Sequence, residues 1–468
     1  MLGKGESCAK RGIQQNFIMG DLVNQKRQQI LRITILFGAM LVFRGLIDLA
    51  YWNILAGSGM YPKEFNPVKY ALSLIWCVVL FLGIRHTRKK VSTFLICLMY
   101  LLQIVPISTI YALGNENSTY YHVLCLAFFI CELYVGWTED ARILKRNTFL
   151  SNAMQICFCL VIIFVMVAVI VQNGPPQLIA LDMSRVYELR GSGWFQLNKY
   201  IDYLMDWCVD LLIPLFIVEA YYHRKYMIAL FFCGIQALLY LYTGHKSFFF
   251  TIFVAIFFAV WSRRKYLYEK TMAMVCVGMS VLCICGILAP SIRLYSGGIY
   301  ALFSRSFSYL VRRCLLVPAV LKYSYFDYFS QHPKLGLAGL FPRWLIPIEN
   351  PYAGISYPNE IGAIYLNSPE TYANTGFLAE GYLRFGFVGI FLSLLLFGQV
   401  LKWIDSLQER YGYGKCIAIL VLPVFSLADA ELFNSLLWGA WMLILMYVAF
   451  YKEPEVSPLA RRSILLSR

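Results

Sequence analysis

Apolar runs separated by short polar breaks fill the chain from residue 31 to residue 451. Each run is about 17–25 residues, long enough to cross roughly 30 Å of hydrocarbon as a helix. They predict about twelve transmembrane helices, at about 31–55, 68–84, 91–113, 120–137, 149–171, 204–222, 226–242, 247–261, 271–289, 376–401, 415–431 and 434–451. None of the runs alternates apolar with polar residues at period two, so a membrane barrel is excluded. The expected fold is an all-α polytopic membrane protein. Its parts are an N-terminal tail (1–30), nine spans (31–289) with an outer loop at 172–203, a large outer loop (290–375) between spans nine and ten, three final spans (376–451) and a C-terminal tail (452–468).

One stretch tests the span count. "YLYTGHKSFFF", residues 240–250, lies in an apolar run from 226 to 261. As one helix this run would be about 54 Å long, well beyond the bilayer core. Basic clusters flank it at both ends, Arg224–Lys225 and Arg263–Lys265, so both ends belong on one side. The run is therefore expected to be a hairpin, turning at Thr243-Gly244-His245-Lys246-Ser247 with Gly244 suited to a tight turn. That places His245 and Lys246 at the outer face. A Lys at the bilayer centre would cost about 2.5–3.5 kcal/mol.

Composition agrees with the pattern. The chain is 59% hydrophobic and 14% charged, against about 25% charged in soluble proteins. Residues 1–29 are polar and include Lys10, Arg11, Lys26 and Arg27, so the first span is expected to be its own insertion signal. Further basic clusters fall at Arg85–Lys90, Arg142–Arg146 and Lys402–Lys415. Together with both termini they lie on one side and hold more than half of the 41 Lys and Arg residues. The positive-inside rule makes that side cytoplasmic. The net charge of +15 then reads as orientation charge rather than as a nucleic-acid surface. The 14 cysteines are scattered without a CxxC pair; Cys157/Cys159 and Cys283/Cys285 read as packing residues.

The outer loop 172–203 carries Arg185, Arg190 and Lys199. The loop 290–375 has seven basic against four acidic side chains, an excess that asks for an anionic partner. In "FSRSFSYLVRRCLLVPAVLKYSYFDYF", residues 303–329, Arg305, Tyr309 and Arg312 are spaced to share one helix face, with Arg313 alongside. Arginine suits phosphate because its planar fork holds two oxygens. The alternative is a membrane-surface helix whose arginines meet lipid head groups. In "FSQHPKLGLAGLFPRWLIP", residues 329–347, His332 precedes a proline and is either a general base or a solvated loop residue. In "NTGFLAEGYLRFGFVGIFLSLLL", residues 374–396, Glu380 and Arg384 are four apart and form either a site or a structural pair. There Asn374 is positioned to cap a helix start, and Gly376, Gly381, Gly386 and Gly389 permit close helix packing. Arg44 with Asp48, and Asp429 with Glu431, read as structural. "SRVYELRGSGW", residues 184–194, presents Arg185 and Arg190 as an anion clamp or as an ordinary turn.

No GxGxxG, Walker A, HExxH or GxSxG motif occurs. No carboxylate cluster resembles a cation cage, so no metal and no cofactor is expected. The cytoplasmic loops are too short for a nucleotide-binding domain. A donor should be membrane-bound and reached from outside.

In combination, "TGHKS", "RRCLLVP", "HPKLG" and "NTGFLAEGYLRFGFVG" resemble the repeat-unit polymerases of O-antigen and capsule (the Wzy type), and the span layout agrees along nearly the whole chain. The resemblance implies a GT-C-like, metal-independent glycosyltransferase of the bacterial cytoplasmic membrane. It would move a growing glycan from one undecaprenyl-diphosphate carrier onto a second lipid-linked repeat unit at the outer face. Arg312 and Arg313 would meet the diphosphate, with Lys246, Arg305, Arg185 and Arg190 in support. His332 or Glu380 would serve as base, with His245, Asn374 and Arg384 as supporting candidates. Some loop tyrosines would stack on sugars, most being interface residues. A flippase and a chain-length regulator would be partners. An O-antigen ligase shares the outer-face geometry and leaving group. A flippase or other transporter would show repeat symmetry, and none is visible here.

Overall fold

The computed structural model describes residues 3–56, 61, 64–137, 148–181, 185, 188–189, 192–293, 306–341, 347–374, 376–427, 429–437, 439 and 441–450. Among these, every regular element is helical. Seven helices are long and apolar enough to cross a membrane: Asn24–Leu55, Val91–Leu113, Ser118–Trp137, Asn152–Asn173, Tyr226–Thr243, Leu267–Leu288 and Phe377–Gln408. Pro67–Gly83, Lys246–Trp261 and Tyr413–Ser426 are apolar but shorter. This is the make-up of a polytopic membrane protein. The two remaining apolar runs are helical but interrupted in character. One is Lys199–Trp207, continued through a π turn (Cys208–Leu212) into Ile213–Tyr222, and it carries Asp206, Asp210 and Glu219. The other is divided into Leu432–Leu437 and Trp441–Phe450. The first helix runs from Gly3 to Ala50.

The chain forms two compact units. The first comprises Met1–Lys89, Ile96–Cys125 and Tyr266–Tyr323. At one of its ends, Asn115 Nδ2 donates to Glu64 Oε2 (2.9 Å), and Lys69 Nζ donates to the carbonyls of Asn115 (3.0 Å) and Glu116 (2.6 Å). At the other, Gln29 Nε2 donates to Thr87 O (3.4 Å) and Arg32 pairs with Glu269 (3.7 Å). There His86 Nε2 donates to Phe81 O (2.7 Å), which leaves Nδ1 to accept from the Tyr268 hydroxyl (2.5 Å). Residues 115–116 thus meet residues 64–69, while residue 87 meets residue 29 and residue 32 meets residue 269. In the interior, Arg44 donates to Thr109 Oγ1 (2.8 Å), Ser73 Oγ (3.1 Å) and Ser108 O (3.3 Å) and pairs with Asp48. Asp48 also accepts from the Tyr70 hydroxyl (3.2 Å).

The second unit comprises Lys90–Leu95, Leu126–Lys265 and Ser324–Arg468. The run 226–261 is two helices, as expected: Tyr226–Thr243 ends on left-handed Gly244 (φ 64°), and Lys246–Trp261 follows. Buried Gln236 donates from Nε2 to Val209 O (3.1 Å) and Phe248 O (3.2 Å), fastening three helices. At one end Tyr240 and Tyr242 donate to Ala180 O and Gly174 O, both at 2.6 Å, and Trp194 stacks on Tyr242. The TGHKS turn and the 172–203 segment therefore share an end. At the other, Tyr222 and Ser262 hydroxyls meet at 2.6 Å, and Lys415 pairs with Glu219 at 3.9 Å. Asp405, fully buried, accepts from Ser92 N (2.8 Å) and Ser92 Oγ (2.5 Å), and Gln408 Oε1 accepts from Val91 N (2.9 Å). Those two side chains cap the helix that starts at Val91.

Two expectations change. The segment 303–329 reads as a helix with an arginine face for phosphate or, alternatively, as a membrane-surface helix. Residues 306–331 are indeed helical, with a π turn at Arg312–Leu316. However, Leu315, Leu316, Ala319, Val320, Tyr323, Tyr325, Tyr328 and Phe329 are buried, and Lys322 is 0% exposed. With apolar residues on every side from Leu315 on, this stretch is a core helix. The span from 376 is not one straight helix either. Phe385 (φ −133°, ψ 18°) and Gly386 (φ 63°, ψ −147°) break Phe377–Tyr411 into two arms. Across the break Gly381 and Gly389 lie against each other, so that a Cβ on either would strike the other's carbonyl oxygen.

Gly389→Ala should therefore lower stability by about 1–3 kcal/mol or more through overpacking. Gly38→Ala has open space around it and should be neutral or raise stability by up to about 1 kcal/mol. Thermal melts of the purified proteins in one detergent compare the two.

Candidate functional site

Pro333 ends the helix 306–331, since the residue before a proline is pushed out of helical geometry. The chain then turns through residues 332–341, using left-handed Gly336 (φ 57°) and Gly339 (φ 77°). Leu335 N donates to Leu383 O and Gly336 N to Arg384 O, both at 3.0 Å. The Arg384 side chain reaches back, donating from Nη1 to Gly336 O (3.2 Å) and Ala338 O (3.1 Å). Its Nε donates to Glu380 Oε1 (3.0 Å) and its Nη2 to Glu431 Oε2 (2.9 Å). Glu380 Oε2 accepts from Phe433 N (3.1 Å), and Glu431 Oε2 also accepts from Asn434 Nδ2 (2.6 Å). One guanidinium thus holds together the HPKLG turn, the arm 377–384 and the segment 429–434.

This alters two candidate roles. Glu380 is 0% exposed and Arg384 2% exposed. Both Glu380 oxygens already accept hydrogen bonds inside the fold, which favours the structural reading of the pair. Asn374 does not cap the following helix. Gly376 (φ 69°) occupies the cap position, and the first N–H groups are satisfied by distant carbonyls: Gly376 N donates to Asp429 O and Phe377 N to Leu427 O, both at 3.2 Å.

His332 sits exposed at the edge of the clamped turn. Its Nδ1 lies 2.8 Å from Tyr328 O. A carbonyl oxygen only accepts, so Nδ1 carries the hydrogen and the lone pair of the neutral ring is on Nε2. The ring stacks on Tyr328 at 4.0 Å and 3°, and the Tyr328 hydroxyl donates to Glu360 Oε2 (2.5 Å). Tyr352 braces the turn through Pro333 O (2.8 Å). Lys334 donates to Phe329 O and lies 4.1 Å over the Tyr382 ring; burial lowers its ammonium below the usual lysine value. Some of the tyrosines brace the fold: Tyr325 donates to Ala373 O (2.5 Å) and Tyr365 to Asp327 (2.6 Å). Tyr309 and Tyr372 remain well exposed.

The basic candidates are distributed. In the first unit Arg312 and Arg313 begin the π turn, Arg312 half-buried and Arg313 exposed. Arg312 lies near Tyr61, whose phenol burial pushes up to about 12 while the arginine charge pulls it down. In the second unit Lys246 is half-buried at the first position of its helix, where its charge adds to the partial positive charge of the helix end. His245 stacks on Phe248 at 5.2 Å. Arg185 is exposed and paired with Glu188 at 3.0 Å, which favours an ordinary surface turn. Arg190 and Arg305 lie outside the described residues. Among the described residues, no group of three or more His, Cys, Asp or Glu side chains is placed to hold a metal ion.

Sequence reasoning missed the joining of Glu431 to the Glu380–Arg384 pair, the buried Lys322 and the capping role of Asp405. It also passed over Glu132, a lone carboxylate in an apolar run, which was a legible signal.

Arg384→Ala should cost about 3–5 kcal/mol by stranding two acidic partners, seen as a large drop in melting temperature and in monodisperse yield. His332→Ala, at an exposed position, should cost less than about 1 kcal/mol in the same assays.

No family model matches the chain, and no curated protein or solved structure is significantly similar to it.

Proposed function

We propose that the protein is a polysaccharide polymerase, joining undecaprenyl-diphosphate-linked oligosaccharide repeat units into O-antigen, capsular or exopolysaccharide at the outer face of the bacterial cytoplasmic membrane. The observation that carries this reading is His332: a histidine with its tautomer set by a carbonyl, its Nε2 lone pair at an exposed edge, on a turn fixed by a buried arginine. The reading includes about twelve spans, a GT-C-like fold and both termini in the cytoplasm.

In this scheme an acceptor hydroxyl gives its proton to His332 Nε2 as its oxygen attacks the anomeric carbon of the donor sugar. The bond from that carbon to the diphosphate oxygen breaks, and undecaprenyl diphosphate leaves. The developing charge is neutralised without a metal by a basic side chain of the outer face, for which Arg312, Arg313 and Lys246 are each candidates. Glu380 and Arg384 position the turn and do not touch substrate. A flippase delivering repeat units and a chain-length regulator are the expected protein partners.

The test is deletion of the gene followed by electrophoresis of the surface glycan. A collapsed ladder with single repeat units still exported is the expected result. Long chains stranded on the lipid carrier would replace this reading with a ligase, and repeat units trapped inside the cell would replace it with a flippase. Arg312→Ala, Arg313→Ala, Lys246→Ala and His332→Ala should each shorten or deplete the polymer at normal protein level. Wild-type polymer in all four would overturn the assignment of these residues.

A further inference from the structure

One ionisable group stands apart from everything described so far. Glu132 lies on the apolar helix Ser118–Trp137, within the second unit, and is 3% exposed. Among the described residues, neither of its carboxyl oxygens has a hydrogen-bond partner. Its helix packs closely on Phe377–Tyr411: Cys131 Sγ, Tyr134 Cδ1 and Val135 Cγ2 come within 3.1–3.4 Å of where a Cβ on Gly398 would stand. The polar groups that the second helix offers nearby are directed at Tyr134. Its hydroxyl donates to Gln399 Oε1 (2.5 Å), and Lys402 Nζ lies 4.8 Å over its ring. The titratable groups on these two faces are Cys131, Tyr134 and Lys402, and none hydrogen-bonds to Glu132.

An ionised carboxylate in that setting would lack both water and a counter-charge. The desolvation penalty is large enough that such a group takes up a proton instead. We propose that Glu132 is a proton-binding site inside the helix bundle, a carboxylic acid kept neutral wherever these two helices pack as they do here. The ligand is a single proton. The site owes nothing to the outer-face chemistry, so the glycosyltransferase reading can fail without affecting it.

A neutral, buried acid has a recognisable reactivity. With dicyclohexylcarbodiimide the carboxyl proton passes to a carbodiimide nitrogen and the carboxyl oxygen adds to the central carbon. In the absence of water the acyl group then migrates from oxygen to nitrogen, leaving a stable N-acylurea with nothing released. The experiment treats the purified full-length protein, reconstituted in lipid, with this apolar reagent and in parallel with a water-soluble carbodiimide. Adducts are mapped by peptide mass spectrometry. The expected result is an adduct on Glu132 with the apolar reagent alone, lost in Glu132→Gln. No adduct there, or equal labelling by the water-soluble reagent, would overturn the proposal. The wild-type map decides the matter even if the variant fails to fold.

Discussion

A buried guanidinium is tolerable only if its N–H groups find acceptors, and Arg384 meets that requirement with four: Glu380, Glu431 and the carbonyls of Gly336 and Ala338. Much of one end of the second unit follows from this one constraint. The two acidic partners draw the arm 377–384 and the segment 429–434 together. The two carbonyls fix the turn that carries His332. A charge in the core is a poor source of net stability, but it is strict about geometry. The arrangement around Arg384 is what makes the position of an exposed histidine reproducible.

Different physical signals account for what could be read in advance. The apolar runs announced helices because span length is set by bilayer thickness, and all of them are helical. The TGHKS hairpin was legible because basic residues flank the run on both sides and Gly244 marks the turn. The pairing of Glu380 with Arg384 was legible because four residues make one helical turn. Other features depend on contacts between segments far apart in the chain. Glu431 is 47 residues from Arg384. The glycines of 376–389 signalled close packing but not a break, because Gly386 carries no mark that separates a contact glycine from a hinge glycine. The arginines of segment 303–329 marked one helix face, and burial of its other faces could not be inferred from that pattern.

Polar groups in both units follow one economy. Hydroxyls and amides are spent on stray carbonyls where helices end or widen: Tyr240 on Ala180, Tyr242 on Gly174, Gln236 on Val209 and Phe248. Tyrosine suits this work because an apolar ring can remain among hydrocarbon while its hydroxyl reaches an acceptor. The abundance of tyrosine in 290–375, which reads as a carbohydrate surface, is explained in good part by this internal bracing. Among the described residues of this segment, Tyr309 and Tyr372 are well exposed.

The cap formed by Asp405 and Gln408 bears on how the chain is made. Ser92 and Asp405 are separated by 313 residues. Spans enter the membrane in order of synthesis, so the helix from Val91 must wait for the Asp405 and Gln408 side chains until most of the protein exists. Contacts of such long sequence separation close late and slowly. The second unit can be completed only when its earliest strip, residues 90–95, is met by one of its last helices. Assembly of this protein is therefore governed by the arrival of its C-terminal portion, and a ribosome-bound chain short of residue 405 holds an early span whose entry end is still unfinished.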